Sequence, residues 1–177
     1  MFRDRASTSA PPRRIAPSLA GGTEDTGSAD DPGLFDIRDL ETHYDGSKVV
    51  FAMRGPLIPG ADEADQPTWN LWTYDVTADS LSRVIESDTV AASGHDRDPH
   101  FLPDGRIVFT STRQRRAKAI LLDEGRPQFA ALDEDRREPA FNLHVVDPAT
   151  GDIEQLTFNP SHDQDPTVLD SGDIVFS

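Results

Sequence analysis

The sequence predicts an all-β fold on three grounds: a short unit that recurs along the chain, Asp-Gly turns at fixed places in that unit, and a composition that favours turns over helices. The chain has 177 residues, with 24 Asp against 8 Glu, together with 14 Pro and 12 Gly. Because Asp, Pro and Gly are turn-forming residues, we expect short strands joined by tight turns rather than long helices.

The recurring unit is clearest in two segments that lie 67 residues apart. His95–Phe109 reads HDRDPHFLPDGRIVF, and His162–Phe176 reads HDQDPTVLDSGDIVF. A weaker copy precedes them, with Asp39, then Asp45-Gly46, then Val49–Phe51. Agreement at this density indicates structural repeats.

A second unit recurs between these segments. Asn70–Asp75 (NLWTYD) matches Asn142–Asp147 (NLHVVD), and a turn and another short strand follow each, at Ser80–Ile85 and Asp152–Thr157. About four short antiparallel strands in a unit of about 60 residues is the pattern of a β-propeller blade. We therefore expect a partial β-propeller of about two and a half blades. The repeats run over about 36–86, 95–158 and 162–177, the last being incomplete.

The repeated turn residues have a structural interpretation. In Asp-Gly, glycine tolerates the positive φ of a tight turn, and the aspartate bonds its own backbone. The β-branched and aromatic runs that follow, Val49–Phe51, Ile107–Phe109 and Ile174–Phe176, are expected to be strands buried on both faces or nearly so. The recurring turn and repeat residues are Asp39, Asp45, Gly46, Asp98, Asp104, Gly105, Asp165 and Gly172.

The remaining segments are a tail and two insertions. Residues 1–34 are rich in small, polar and charged residues without a hydrophobic period, which predicts a disordered N-terminal tail. Residues 55–68 are expected to form a Pro- and acid-rich surface loop. A longer insertion covers 114–140, where Ala117–Leu122 and Phe129–Arg137 are expected to be short helices. A loop of this length is usually functional or packs over a neighbouring face.

Composition excludes several classes of function. The formal net charge is −15, and an acidic surface repels phosphate backbones, so no nucleic-acid partner is expected. The sequence contains no run of about 18 apolar residues and therefore predicts no membrane span. The N-terminus lacks the apolar stretch of a secretory signal peptide. The absence of cysteine excludes disulfides, CxxCH haem attachment, Cys-ligated zinc and a cysteine nucleophile.

The repeat motifs resemble a known family. Asp-Gly-x-x-Val-x-Phe, Asn-Leu-x-x-x-Asp and Thr-Gly-x-Ile-x-Gln-Leu-Thr resemble the WD-like repeats of TolB-type propellers, with the best match at Phe141–Phe158. His95–Ser111 (HDRDPHFLPDGRIVFTS), with the insertion around Leu121–Pro127, is similar to proteins related to the hydrazine synthase alpha subunit. In that family the middle domain is a propeller flanked by haem-bearing domains.

The resemblance covers about residues 35–177 and implies a propeller scaffold. Without cysteine, the family's haem attachment sites are missing from this sequence, so hydrazine synthesis is not implied. TolB-type relatives are mostly exported. The resemblance therefore implies a periplasmic location, which the missing signal peptide contradicts.

Two interpretations of the His-Asp segments stay open. Histidine and aspartate at this spacing could converge on Zn²⁺ or Ca²⁺. Because the same residues recur in successive repeats, they could instead build the blade, with aspartate bonding backbone N–H groups and proline setting the start of a strand. The candidate metal ligands are His95, Asp96, Asp98, His162, Asp163 and Asp165.

Two features are particular to one repeat. His100 aligns with Glu41 and Thr167, so the blade does not require it, and its place near the start of a strand could make it face a central channel. The basic run Arg113, Arg115, Arg116 and Lys118 is expected to be a solvated face of the insertion, with an acidic partner as the alternative.

The sequence therefore favours a non-catalytic propeller scaffold without a cofactor of its own, which presents loops to a protein partner or a neighbouring domain. Open blade edges also predict self-association, because an unpaired strand edge is a template for another chain. Truncation of a longer protein is expected, because closed propellers have about 4–8 blades. Two alternatives remain: the propeller portion of a peptidase or haem-bearing oxidoreductase whose catalytic part lies elsewhere, and a metal-binding module.

Overall fold

The structure is a computed structural model that describes residues 35–62, 65–114, 123–125 and 131–177. The tail expected at 1–34 and the helix expected at Ala117–Leu122 lie outside the described residues. The described chain forms antiparallel sheets, which confirms the all-β class.

Sheet 1 contains β1 (Asp36–Thr42), β2 (Lys48–Arg54), β3 (Asn70–Asp75) and β4 (Ser80–Arg83). Sheet 2 contains β5 (Asp96–Phe101), β6 (Ile107–Ser111), β7 (Asn142–Val146) and β8 (Ile153–Gln155). Sheet 3 contains β9 (Thr167–Val168) and β10 (Ile174–Val175).

Each sheet is a meander in which every strand pairs with the next one along the chain. The strand order is β1-β2-β3-β4 in sheet 1 and β5-β6-β7-β8 in sheet 2, and β9 pairs with β10 in sheet 3. A short helix, α1 (Asp88–Ala91), connects the first two sheets. Each sequence repeat therefore corresponds to one sheet, and β1, β5 and β9 occupy the same place in the three sheets.

Two hydrophobic cores lie between successive sheets. The larger core joins Val50 and Leu71 of sheet 1 to Ile107, Phe109 and Val146 of sheet 2. The second core joins the other face of sheet 2 to sheet 3. Since sheet 2 is covered on both faces, every residue of β6 and β7 is buried. The continuous apolar runs in these strands are the pattern that two-sided burial requires.

The expectation of a buried strand is wrong for the third repeat. Val108 and Phe109 are both 0% exposed, whereas the equivalent Val175 and Phe176 are 53% and 41% exposed. The side chains are the same, but within the described residues β10 has no third strand beside it. Burial is a property of the neighbouring strands, which local sequence does not specify.

A left-handed aspartate recurs in or just before the first strand of each sheet. Asp39, Asp98 and Asp165 have φ values of 56°, 49° and 50°. This left-handed conformation is accessible to Gly, Asn and Asp because their short polar side chains can bond locally. The register of β1 with β2 shifts at Asp39, and that of β5 with β6 shifts at Asp98, so each aspartate lies in a β-bulge.

The Asp-Gly turns have the expected geometry. Gly46 and Gly105 have φ of 73° and 89°, a region that favours glycine. Asp45 Oδ1 accepts a hydrogen bond from the backbone N–H of Ser47 at 2.8 Å. Hydrogen bonds from Ser47 hold the pKa of Asp45 well below its usual range.

The described end of the long insertion is not helical. Within the range expected to be helix at Phe129–Arg137, residues 131–137 lead into a turn, and Leu132 forms an isolated antiparallel bridge with Pro139. Asp133 Oδ1 accepts backbone N–H bonds from Arg137 and Glu138 at 2.7 and 3.1 Å. These bonds close a turn in place of a helix. No helix in the described ranges is long and apolar enough to cross a membrane.

Candidate functional site

The repeated His-Asp segments join each sheet to the one before it. His95 Nδ1 accepts a hydrogen bond from the backbone N–H of Trp69 at 3.4 Å, and the N–H of Asp96 donates to the Trp69 carbonyl at 3.0 Å. His162 and Asp163 repeat both bonds to Phe141 one sheet later, at 3.1 and 2.7 Å. Trp69 and Phe141 come directly before β3 and β7. The recurrence of His-Asp is thus explained by a repeated pair of hydrogen bonds that joins one sheet to the next.

The carboxyl group of Asp96 is completely buried and paired with an arginine. Arg113 Nη2 lies 2.5 Å from Asp96 Oδ2, Arg113 Nε lies 3.1 Å from Oδ1, and the Ser111 hydroxyl donates to Oδ1 at 2.6 Å. Desolvation raises the pKa of Asp96 to about 6, against the lowering effect of Arg113 and Ser111. A Cβ on Gly94 would lie 2.8 Å from the backbone nitrogen of Arg113, so the approach of these two segments requires glycine.

The burial of Arg113 corrects the sequence-based interpretation. Arg113 was expected in a solvated basic run, but it is 5% exposed, and the other members of that run lie outside the described residues. Its partner Asp96 lies 17 residues earlier in the chain, at the start of β5, and the antiparallel pairing of β5 with β6 brings the two residues together. One signal was available: a buried aspartate requires a cationic or hydrogen-bonding partner.

The equivalent Asp163 uses amides instead of an arginine. It is 3% exposed, and its carboxylate accepts hydrogen bonds from Asn159 Nδ2 at 2.6 Å and from Asn142 Nδ2 at 3.3 Å. The hydrogen bonds to Trp69 and Phe141 are therefore the same in both repeats. The groups that bond the buried carboxylate differ from one sheet to the next.

The six candidate metal ligands do not form one centre. Asp96 and Asp163 are held by the partners described above, and the ring nitrogens of His95 and His162 accept backbone hydrogen bonds. In the part of the chain that the structure describes, no group of three or more His, Cys, Asp or Glu residues is placed to hold a metal ion. The geometry favours the architectural interpretation of these segments.

The repeated left-handed aspartates Asp39, Asp98 and Asp165 lie near one another, although they come from three different repeats. The backbone N–H of Asp98 donates to Asp39 Oδ2 at 3.3 Å, and the hydroxyl of Thr110 donates to Asp98 Oδ2 at 2.8 Å. Burial raises the pKa of Asp98, and the carboxylates of Asp39 and Asp165 raise it further. The carboxylates of these aspartates therefore repel one another when they are ionised.

His100 pairs with the residue that aligns with it in the preceding repeat. Its Nδ1 contacts the Glu41 carboxylate, and the two side chains are 29% and 25% exposed. His100 therefore takes part in a contact between β5 and β1, the first strands of adjacent sheets. That His100 faces a central channel stays a prediction.

Arginine and aromatic side chains form a second contact between sheets. The guanidinium groups of Arg54, Arg97 and Arg38 lie 4.8, 5.4 and 5.6 Å from the centroid of the Trp69 indole. Arg97 also lies 5.0 Å from the ring of Phe141 and is held between the two aromatic residues. Desolvation lowers the pKa of Arg97, and Arg38 lowers it further. Stacking here links β1, β2 and β5.

A cavity lies apart from all of these groups. It has a volume of about 530 Å³ and separates Val84, Ile85 and Val90 from Pro148 and Thr150 in the β7–β8 turn. None of the residues selected from the sequence lines it. Glu86 and Ser87 also line it, so its walls are a mixture of polar and aliphatic side chains.

No family model matches the sequence, and no curated protein matches it. The functional argument therefore depends on the geometry described above.

Proposed function

We propose that the chain supplies consecutive blades of a β-propeller of the TolB-like type, related to the middle domain of the hydrazine synthase alpha subunit, and that it acts as a non-catalytic interaction scaffold. The observation that carries this proposal is the recurrence of a left-handed aspartate at the first strand of three successive sheets, with a β-bulge at that place in the first two. These aspartates have φ of 56°, 49° and 50°. Independent sheets would have no reason to share this backbone feature.

The order of the strands supports a propeller over a β-sandwich. A sandwich commonly connects its two sheets by Greek-key crossovers. In this chain each sheet is completed as a meander before the next begins, which is the chain path of successive blades. The contacts Asp39–Asp98 and Glu41–His100 also join first strands to first strands, as expected where blades converge on an axis.

The scaffold role is supported by the composition of the described contacts. The polar groups described above have structural partners: Asp96 pairs with Arg113 within sheet 2, Asp163 accepts hydrogen bonds from two asparagines, and Arg97 lies against two aromatic rings. Sheet 3, in contrast, leaves apolar side chains uncovered, among them Val175 and Phe176. An exposed apolar surface of this kind favours a protein-binding role.

The proposal is tested by the size of the particle that contains this chain in its source cells. Native purification followed by size-exclusion chromatography with light scattering should give a mass well above 19.4 kDa. A photo-crosslinking residue at position 176 should form a specific adduct, while one at the loop residue Leu57, which has a similar exposure of 44%, should not. A monomer of 19.4 kDa without an adduct refutes the scaffold.

A further inference from the structure

An aspartate–proline peptide bond lies at the bulge of β5. The residue before a proline normally has an extended backbone, with φ of about −120°. Asp98, which precedes Pro99, has φ of 49° instead. Its surroundings hold this conformation, because the N–H of Asp98 donates to Asp39 Oδ2 at 3.3 Å and the side chain of Pro99 is fully buried. A residue other than glycine in the left-handed region stores backbone strain, and such residues cluster at reactive sites.

The side chain of Asp98 is held in place as well. The hydroxyl of Thr110 donates to Asp98 Oδ2 at 2.8 Å, and Asp98 is only partly exposed. Burial raises the pKa of Asp98, the Thr110 bond lowers it, and the charge of Asp39, a hydrogen bond with that residue and the charge of Asp165 raise it again. The charged groups around this carboxyl are Asp39 on β1, Arg97 on β5 and Asp165 just before β9, with the Glu41–His100 pair two residues further along β5.

An aspartate that precedes proline carries the groups needed to cut its own peptide bond. A carboxyl oxygen of the side chain attacks the backbone carbonyl carbon of the same residue and closes an intramolecular anhydride ring. The carboxyl proton passes to the proline nitrogen, the C–N bond breaks, and proline leaves as a secondary amine. Solvent water then opens the anhydride and leaves aspartate at a new C-terminus. The sum is the hydrolysis of one peptide bond without any change of oxidation state.

The availability of the proton limits this reaction in an ordinary aspartate. An exposed carboxyl group with a pKa of about 3.9 is protonated only in strong acid. The carboxyl of Asp98 retains its proton closer to neutral pH, because it is partly buried and lies beside Asp39. A proton donor fixed next to the departing group is the arrangement that general acid catalysis requires.

We propose that the chain hydrolyses its own Asp98–Pro99 bond in mild acid, with the Asp98 carboxyl as both nucleophile and proton donor. This activity goes beyond the scaffold function and does not depend on it. The left-handed backbone, the buried proline and the Thr110 bond are the features that distinguish this bond from other aspartate–proline bonds.

The chain supplies two comparison bonds of the same chemistry. Asp147–Pro148 lies in the β7–β8 turn, where Asp147 does not have a positive φ and its carboxylate accepts the N–H of Ala149 at 2.8 Å. Asp165–Pro166 shares the left-handed conformation, with φ of 50°, but Asp165 is exposed. A reaction that required aspartate and proline alone would cut all three bonds alike.

The experiment incubates the full chain between about pH 4.5 and 7 and follows its fragments by intact-mass spectrometry. We expect fragments 1–98 and 99–177 at pH 5, formed at least about tenfold faster than cleavage at the two comparison bonds, because a positioned proton donor contributes about 10²–10⁴-fold. In urea at the same pH this selectivity should disappear, because the three bonds then have the same surroundings.

Three variants test the assigned roles. Asp98→Asn tolerates the left-handed backbone but lacks the acidic proton, so it should abolish this cleavage. Asp39→Asn keeps an acceptor for the Asp98 N–H and removes a neighbouring charge, so the pKa of Asp98 falls and the onset of cleavage should move to lower pH. Asp147→Asn is the matched control and should leave the rate at Asp98–Pro99 unchanged.

Several results would overturn the inference: no fragments at pH 5, equal rates at the three bonds, the same selectivity in urea, or an Asp39→Asn profile that does not move. None of these results bears on the scaffold function, which is tested by the mass of the native particle.

Discussion

Removal of Arg113 is the most informative perturbation of the folded chain. Arg113→Met keeps an unbranched side chain in the space but removes the guanidinium group that pairs with Asp96. Both partners are buried, with side-chain exposures of 4% and 0%, so water cannot replace the lost contact. Breaking a buried ion pair by removing one partner is strongly destabilising, by about 3–5 kcal/mol, because it leaves an uncompensated charge.

The protonation of Asp96 sets an upper limit to the electrostatic part of this loss. The carboxyl group can take up a proton instead of remaining charged. For a carboxyl group whose folded pKa is about 6, this costs about 1–2 kcal/mol at pH 7. The lost hydrogen bonds of the guanidinium group add about 1–2 kcal/mol, so we expect Arg113→Met to lower the free energy of unfolding by about 2–3 kcal/mol at pH 7.

The loss should depend on pH in a definite direction. Desolvation already raises the pKa of Asp96 to about 6 in the folded chain, and removal of Arg113 raises it further. A carboxyl group with a raised folded pKa contributes stability that is present below its unfolded pKa and is lost as the pH rises through its folded pKa. The difference between Arg113→Met and the unaltered chain should thus be large at pH 7 and fall to about 1–2 kcal/mol near pH 4.5.

Urea unfolding followed by the fluorescence of Trp69, which is 3% exposed, measures both quantities. The double variant Asp96→Asn with Arg113→Met is the control, because it removes the charge together with its partner. It should be more stable than Arg113→Met at pH 7. A loss below about 1 kcal/mol, or one that is the same at pH 7 and pH 4.5, would refute the buried-charge argument.

Three further predictions use the same assay. Asp98→Asn should raise stability at pH 7 by up to about 1 kcal/mol, because asparagine tolerates the left-handed backbone and still accepts the Thr110 bond without carboxylate repulsion; a less stable variant would contradict this. Burial lowers the pKa of His144 to about 4, so the unaltered chain should lose up to about 3 kcal/mol as the pH falls from 6.5 to 4. His144→Phe should remove that pH-dependent part, and an unchanged slope would count against it. Phe109→Ala should cost about 3–5 kcal/mol and Phe176→Ala less than about 1, because the first side chain is 0% exposed and the second 41%; equal losses would show that Phe176 is covered.

The asymmetry between Phe109 and Phe176 shows what a repeat can and cannot predict. Both residues end an Ile-Val-Phe run after a turn glycine, and local sequence treats them alike. Their burial differs because β6 has β7 beside it and a sheet on either face, while the described chain provides β10 with β9 alone. Strand formation was predictable from short-range pattern, but burial depends on segments far away in the chain.

The candidate site likewise has features that the sequence predicted and features that it did not. The recurrence of Asp39, Asp98 and Asp165 was visible in the sequence, and it indicated a structural role. Their left-handed backbone and mutual proximity were not predictable, because both arise from the bulge and from the packing of first strands against each other. The same holds for the pairing of His100 with Glu41, two residues that align in the repeat but belong to different sheets.

The sequence by itself determined the positions of the turns, the strands and the repeat. Asp-Gly turns and β-branched runs act over a few residues, and their spacing repeats with the sheets. Only the tertiary structure decided which charges are buried and which edges are open. Arg113 lies in a basic stretch yet neutralises a buried carboxylate, and Val175 and Phe176 are exposed although they repeat the buried Val108 and Phe109. Electrostatic and packing energies depend on distance in space, and in a chain of stacked sheets the nearest neighbours in space are often far apart in sequence.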